Sequence, residues 1–393
     1  MLFLLIILSN VVLKKIYYLD SLRGLACMMV VFSHISLAFF PYLHNLEKVS
    51  IPDVNGVQYF IHHSPFSFFF SGTSAVYIFF VLSGIVLSRS MEKKDRLGYV
   101  DSFISRYPRL MIPALVSCLI SFFIFEYLIT SWSIGLTPWF NRMYVDASLL
   151  DAIYNGTIKP FFLNGSSYNN VLWTMKIELL GSFLIYIFSY SSRKIDQKAN
   201  CLLFLLLSLC AYAIETRLSL GFLCFWFGFT VYNFNIKIRS NYMGYFLLFL
   251  GLYLAGAHNE SMSYGIIANL LGNKTYGICN LLSGFIIVWV VFSNENIQRA
   301  LNKDYLVKLG KLSFSIYLIH LSVIILVCYF FYNNLLGYFS YNVTSIILSG
   351  LIVFLTVILS KPMSKIDDLA VKFSKSCCVF SKKGRLKESK SLL

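Results

Sequence analysis

The chain has 393 residues, 58% of them hydrophobic and only 13% charged, with a mean hydropathy of +0.70. Soluble domains carry about 25% charged residues, so a soluble globular fold is excluded and the chain reads as an integral membrane protein. The formal net charge of +15 would also suit a nucleic-acid binder, and its placement along the chain decides between the two.

About ten apolar runs are long enough to cross a hydrocarbon core of roughly 30 Å. They fall at 22–41, 70–88, 110–132, 171–190, 201–214, 218–234, 243–257, 276–293, 312–332 and 343–360, with 201–214 and 243–257 the shortest. With the segment before residue 22 placed inside, 27 of the 33 Lys and Arg fall on the inner side. The other six are Lys48, Arg142, Lys159, Lys176, Arg217 and Lys274. This positive-inside bias puts both termini in the cytoplasm. The basic excess then faces anionic headgroups of the lipid bilayer rather than nucleic acid.

The expected architecture is all-α and polytopic, with about ten transmembrane helices and no separate soluble domain. Residues 1–15 form an N-terminal extension, 16–360 the transmembrane domain and 361–393 a basic cytoplasmic tail. The opening "MLFLLIILSNVVL" is too short to span comfortably, and its lysines follow the apolar run, the reverse of a secretory signal; either an interfacial helix or a mis-set start codon is expected there. Nine cysteines include no CxxC pair and none in an outer loop. Neither a disulfide framework nor a metal site is therefore expected.

The first run carries the first chemistry, in "LDSLRGLACMMVVFSHI". Arg23 and His34 are eleven residues apart, which is three helical turns plus about 20°, so both project from one face. The same eleven residues rise about 16 Å, half the hydrocarbon thickness. One stripe thus places a cation at the inner edge and an imidazole beyond the midplane. Ionisable groups inside a membrane are costly and by default functional. Together they suggest a slot for something long, with an anionic inner end and a reactive outer end.

In the second run, "FFVLSG" offers Ser83 and Gly84 for close helix contact. Arg106 and Arg109 follow in "SRYPRLMIP"; they either bind phosphates, to which the guanidinium fork is suited, or anchor the inner edge. Pro108 between them leaves the local helix geometry open. The outer loop 133–170 is rich in Asn, Gly, Ser, Trp and Tyr, a composition suited to sugar contacts and equally to an ordinary polar loop. In "VLWTMKIELLGSF", Glu178 is expected at the depth of His34. There it orients the imidazole, acts as acid or base itself, or pairs structurally with Lys176. In "SFSIYLIH", Tyr317 and His320 share a helix face and either line the slot or bind helices together.

These motifs resemble the membrane-bound acyltransferase-3 family, which includes bacterial O-antigen and exopolysaccharide O-acetylases. The family pattern has an Arg, ten residues, then His (Arg23 and His34), then "FFVLSG", a basic segment with Ser105 standing for one Arg, "WTMKIE" and "SFSIYLIH". The ordered set covers roughly residues 16–360.

The resemblance implies an acetyl-CoA-dependent O-acyltransferase in a bacterial inner membrane, acting on a hydroxyl of an envelope glycan such as lipopolysaccharide O-antigen. Acyl-CoA enters as co-substrate, with no permanently bound cofactor. In this reading Arg23, Arg106 and Arg109 hold coenzyme A, and His34 is the base, supported by Glu178. Trp173, Tyr317 and His320 line the slot. The acceptor sugar, the acyl chain and the oligomeric state stay open. The alternative is a transporter of acyl groups or glycan intermediates, with the Arg/His/Glu set as a proton relay.

Overall fold

A computed structural model describes residues 16–44, 56–129, 131–132, 134–258 and 260–378. The expected interfacial helix before residue 16, Lys48 and the end of the tail from 379 lie outside these residues. Among the described residues the chain is helical and contains no strand. Each expected span coincides with one long helix: α1 (Tyr17–Phe39), α2 (Gly72–Met91), α3 (Arg96–Phe123), α4 (Thr174–Ser191), α5 (Gln197–Cys210), α6 (Thr216–Asn233), α7 (Asn241–Ala255), α8 (Thr275–Ser293), α9 (Asp304–Leu336) and α10 (Tyr341–Ser376).

Among the described residues seven helical stretches are long and apolar enough to cross a membrane, and α5 and α7 are shorter apolar helices. Bulky side chains such as Phe249, Phe354, Ile346 and Tyr242 are exposed on the outside of the bundle, as they are where lipid replaces water. The chain is a multi-pass membrane protein.

The helices outrun the apolar windows in three places. Helix α3 starts at Arg96, where the Asp95 side chain caps it by accepting from Gly98 N at 2.8 Å. Helix α9 begins at Asp304, and α10 continues to Ser376, through the first part of the expected tail. Hydropathy measures the lipid-matched core, whereas a helix continues wherever propensity and capping allow. Pro108 and Pro113 lie inside α3 without ending it.

Helix α2 sits among α1, α4, α6 and α8, while α9 packs between α1 and α10. Small residues set the tightest crossings. A Cβ on Gly228 would lie 2.3 Å from Val81 O, and one on Gly84 2.6 Å from Phe225 O, so α2 and α6 touch backbone to backbone. Gly310 of α9 meets α1 in the same way, its Cβ position being 2.0 Å from Asp20 O. Lipid offers little hydrophobic drive between helices, so such close packing supplies the contact energy.

At one end, called the basic end here, lie Arg23, Arg106 and Arg109. At the opposite end two segments cover the bundle. One holds the helix Gly56–His63 and the 3-10 turns Pro41–His44 and Pro65–Phe70; the other holds the short helices Pro138–Asn141, Leu149–Thr157 and Lys159–Phe162.

Candidate active site

A cavity of about 450 Å³ opens beneath these covering segments, with His34, His44, His258, Trp173 and Tyr317 among its walls. His34 reaches it from α1, and α9 brings His320 beside it: His34 Nδ1 lies 2.9 Å from His320 Nε2. His320 Nδ1 lies 3.1 Å from the Ile316 carbonyl. A carbonyl only accepts, so His320 carries its hydrogen on Nδ1 and accepts through Nε2. His34 then donates from Nδ1, and its Nε2 is left with a free lone pair. Trp139 stacks on the His34 ring at 5.6 Å and 15°, which restrains its plane.

Tyr317 and His320, expected on one face, have ring centroids 6.1 Å apart; Tyr317 lines the cavity, and His320 is fully buried behind it. The Tyr317 hydroxyl donates to Val171 O at 2.7 Å and lies 2.9 Å from Thr174 Oγ1. This ties α9 to the start of α4. Trp173 stands at the cavity wall, and the Arg217 guanidinium lies 5.1 Å from its ring centroid.

Glu178 does not orient His34. Its carboxylate accepts from Arg106 Nη2 at 2.6 Å and from Ser83 Oγ at 2.9 Å. The physical cause is Arg106: α3 carries this guanidinium inside the bundle, where it is 7% exposed, and a buried cation demands a counter-charge. Lys176 is not the partner of Glu178 either; it pairs with Glu215 at 3.1 Å. Ser83, expected to serve helix contact alone, is a ligand of this carboxylate.

Arg106 and Arg109 also part ways: the first is buried and neutralised, the second exposed. Arg109 lies where the charges of Arg106, Asp367 and Arg23 all act on it, so the three arginines do gather at the basic end. Arg23 itself lies 3.8 Å from Asp20. The expected straight slot from Arg23 to His34 is interrupted. Midway, Cys27 is fully buried and donates to Ser313 O at 3.0 Å. What joins the two ends instead is a column of polar groups on α3, α2, α4 and α9: Arg106, Glu178 with Ser83, Thr174, Tyr317 and His320.

Sequence reasoning passed over the histidines of the cover. His44 Nε2 lies 2.7 Å from Ser36 Oγ, and His62 packs against His258 and His63 with centroids 4.5 and 4.7 Å apart. Burial, and then the neighbouring His258 and His62, lower the pKa of His44 to about 4. His62 is lowered to about 4 by burial and by His258 and His63. A signal for them existed: His34, His44, His62, His63 and His258 all fall in or beyond the outer halves of the expected spans, while His320 sits near the middle of its own. Trp139 carried no such signal, since its contact with His34 depends on how the loop folds back.

Among the described residues no cluster of His, Cys, Asp and Glu is arranged to hold a metal. The sequence is 26% identical over 169 residues to an "O-acetyl transferase" of Shigella phage Sf6, covering 41% of this chain and 42% of that protein's length. No solved structure matches it significantly. The profile of the acyltransferase-3 family, described as an acyltransferase domain, matches residues 16–361, from α1 into α10. The chain belongs to the acyltransferase-3 family.

Proposed function

We propose that this protein is a membrane O-acyltransferase that moves an acyl group, acetyl in the simplest case, from cytosolic acyl-CoA to a hydroxyl of an envelope glycan. The observation that carries the reading is the pairing of His34, at the cavity wall, with the buried His320. One nitrogen of His34 is consumed by an orienting bond, and the other is free to take a proton. A family profile that spans all ten helices and a relative named as an O-acetyl transferase support the same chemistry.

In this reading the basic end faces the cytosol of a bacterial inner membrane, and Arg23 and Arg109 receive the phosphates of coenzyme A. Arg106 contributes to that field while its own charge is held by Glu178. The acceptor hydroxyl enters the cavity and gives its proton to His34 Nε2 as its oxygen attacks the thioester carbonyl. The C–S bond then breaks, and the leaving thiolate takes the proton back from the His34 imidazolium. While His34 is charged, its Nδ1–H bond to His320 strengthens and stabilises the cation. General base catalysis contributes about 10²–10⁴-fold, with positioning supplying the rest.

The test uses purified protein in proteoliposomes with acetyl-CoA and envelope glycan. Release of free CoA thiol matched by ester-linked acetyl on the glycan is expected. Passage of acetyl-CoA or glycan across the bilayer with no ester formed would overturn the reading in favour of a transporter.

A further inference from the structure

A second pocket of about 610 Å³ adjoins the first, with Trp173 as their shared wall. Lys159, Lys176 and Arg217 line it. These are half of the six Lys and Arg placed at this end of the molecule, gathered from the segment 159–170, α4 and α6. Lys176 is neutralised by Glu215 at 3.1 Å. Among the described residues neither Lys159 nor Arg217 is paired with a carboxylate: Lys159 Nζ bonds Ser167 Oγ at 3.1 Å, and Arg217 lies over the Trp173 ring. Glu215, whose charge is taken up by Lys176, also lines the pocket, together with Asn164, Asn170 and Ser167, so the pocket offers amide and hydroxyl partners beside two cations that have no carboxylate partner.

We infer that this pocket is a subsite for an anionic sugar of the acceptor, adjacent to the residue acylated in the cavity. It rests on the proposed function and names its substrate class: an acidic glycan whose carboxylate or phosphate group sits between Lys159 and Arg217. Three features fit that occupant. Two unneutralised cations at one pocket call for an anion. Amide and hydroxyl side chains suit the neighbouring sugar hydroxyls. Trp173 lines both volumes, so a glycan occupying one can continue into the other past a single side chain.

The test measures binding and transfer separately. Purified wild-type protein and the K159Q/R217Q variant are titrated with a uronic-acid oligosaccharide, with its carboxyl-reduced neutral counterpart and with a phosphorylated counterpart. Transfer of labelled acetyl to the same three acceptors is then followed. Charged hydrogen bonds are the strong ones, so wild type is expected to bind at least one acidic form about tenfold or more tightly than the neutral one. That ratio should fall to near one in the variant and shrink in wild type as salt is raised. The acid that is preferred identifies the anion. Equal binding of acidic and neutral forms by wild type, or an undiminished ratio in the variant, overturns the subsite. Stimulation by vesicles of phosphatidylglycerol with no dependence on acceptor charge also overturns it, in favour of a lipid headgroup. Discrimination in binding without acetyl transfer to any acceptor keeps the subsite and overturns the transferase reading instead.

Discussion

Replacing Glu178 by Gln keeps its shape and removes the charge that balances Arg106. The two side chains are 8% and 16% exposed, and Arg106 Nη2 lies 2.6 Å from Glu178 Oε1. Arg106 Nε already has no hydrogen-bond partner among the described residues, so the guanidinium depends on this carboxylate. Breaking one side of such a buried pair costs about 3–5 kcal/mol, whereas replacing both members by apolar residues of similar volume is about neutral. At about 2–4 °C per kcal/mol for a chain of a few hundred residues, E178Q should melt on the order of 10 °C below wild type in detergent. R106M/E178M should return to within a few degrees of wild type. The reasoning is refuted if E178Q melts with wild type, or if the double variant is as unstable as the single one. The latter result would give Glu178 a role apart from Arg106.

Three further expectations follow from the geometry. His320→Leu leaves His34 Nδ1 without its acceptor and should lower kcat about 10- to 100-fold, the equivalent of one buried hydrogen bond, with acceptor KM within about twofold. His320→Gln, which keeps an acceptor oxygen, should restore part of the rate, and an unchanged kcat in the Leu variant contradicts the pairing. Gly310→Ala forces a Cβ onto the α1 backbone and should cost about 1–3 kcal/mol, while Gly350→Ala, where a Cβ meets nothing within 4 Å, should not destabilise; comparable melting temperatures for the two would refute the crossing. His44 and His62 are held neutral in the fold, with pKa values near 4, against about 6.5 in an unfolded chain. Their depressed values mean that the unfolded chain binds more protons, so the stability they contribute is intact above pH 6.5 and is lost as the pH falls from about 6.5 to about 4. Melting should drop over that window, and a flat profile would refute the assignment.

Much of the fold is legible in the hydropathy of the chain, because lipid demands long apolar runs whose backbone bonds close within each helix. All ten expected spans are helices; polar residues carry three of them past the lipid core, as at Arg96 and Ser376, and the third span ends at Phe123 with one further turn to Leu128, short of the expected residue 132. The pairing of Tyr317 with His320 follows from i, i+3 spacing on one helix. What spacing along a single helix does not reveal is the partner on another. Arg23 and His34 share a face, yet Cys27 and Ser313 close the line between them. Glu178 was legible as a buried carboxylate, but its choice of Arg106 over His34 is set by α3 carrying the Arg106 guanidinium inside the bundle. Trp139 reaches His34, and His44 the cavity, only through the folding of the covering segments, whose composition specifies polarity and not direction.

The most direct test of the account is transfer of labelled acetyl from acetyl-CoA into envelope polysaccharide by membranes carrying wild-type protein or H34A at matched expression. Label should enter the glycan with wild type and fall to background with H34A, because the free Nε2 of His34 is the base the reaction needs. Equal labelling by the two would contradict the account and remove His34 from the chemistry.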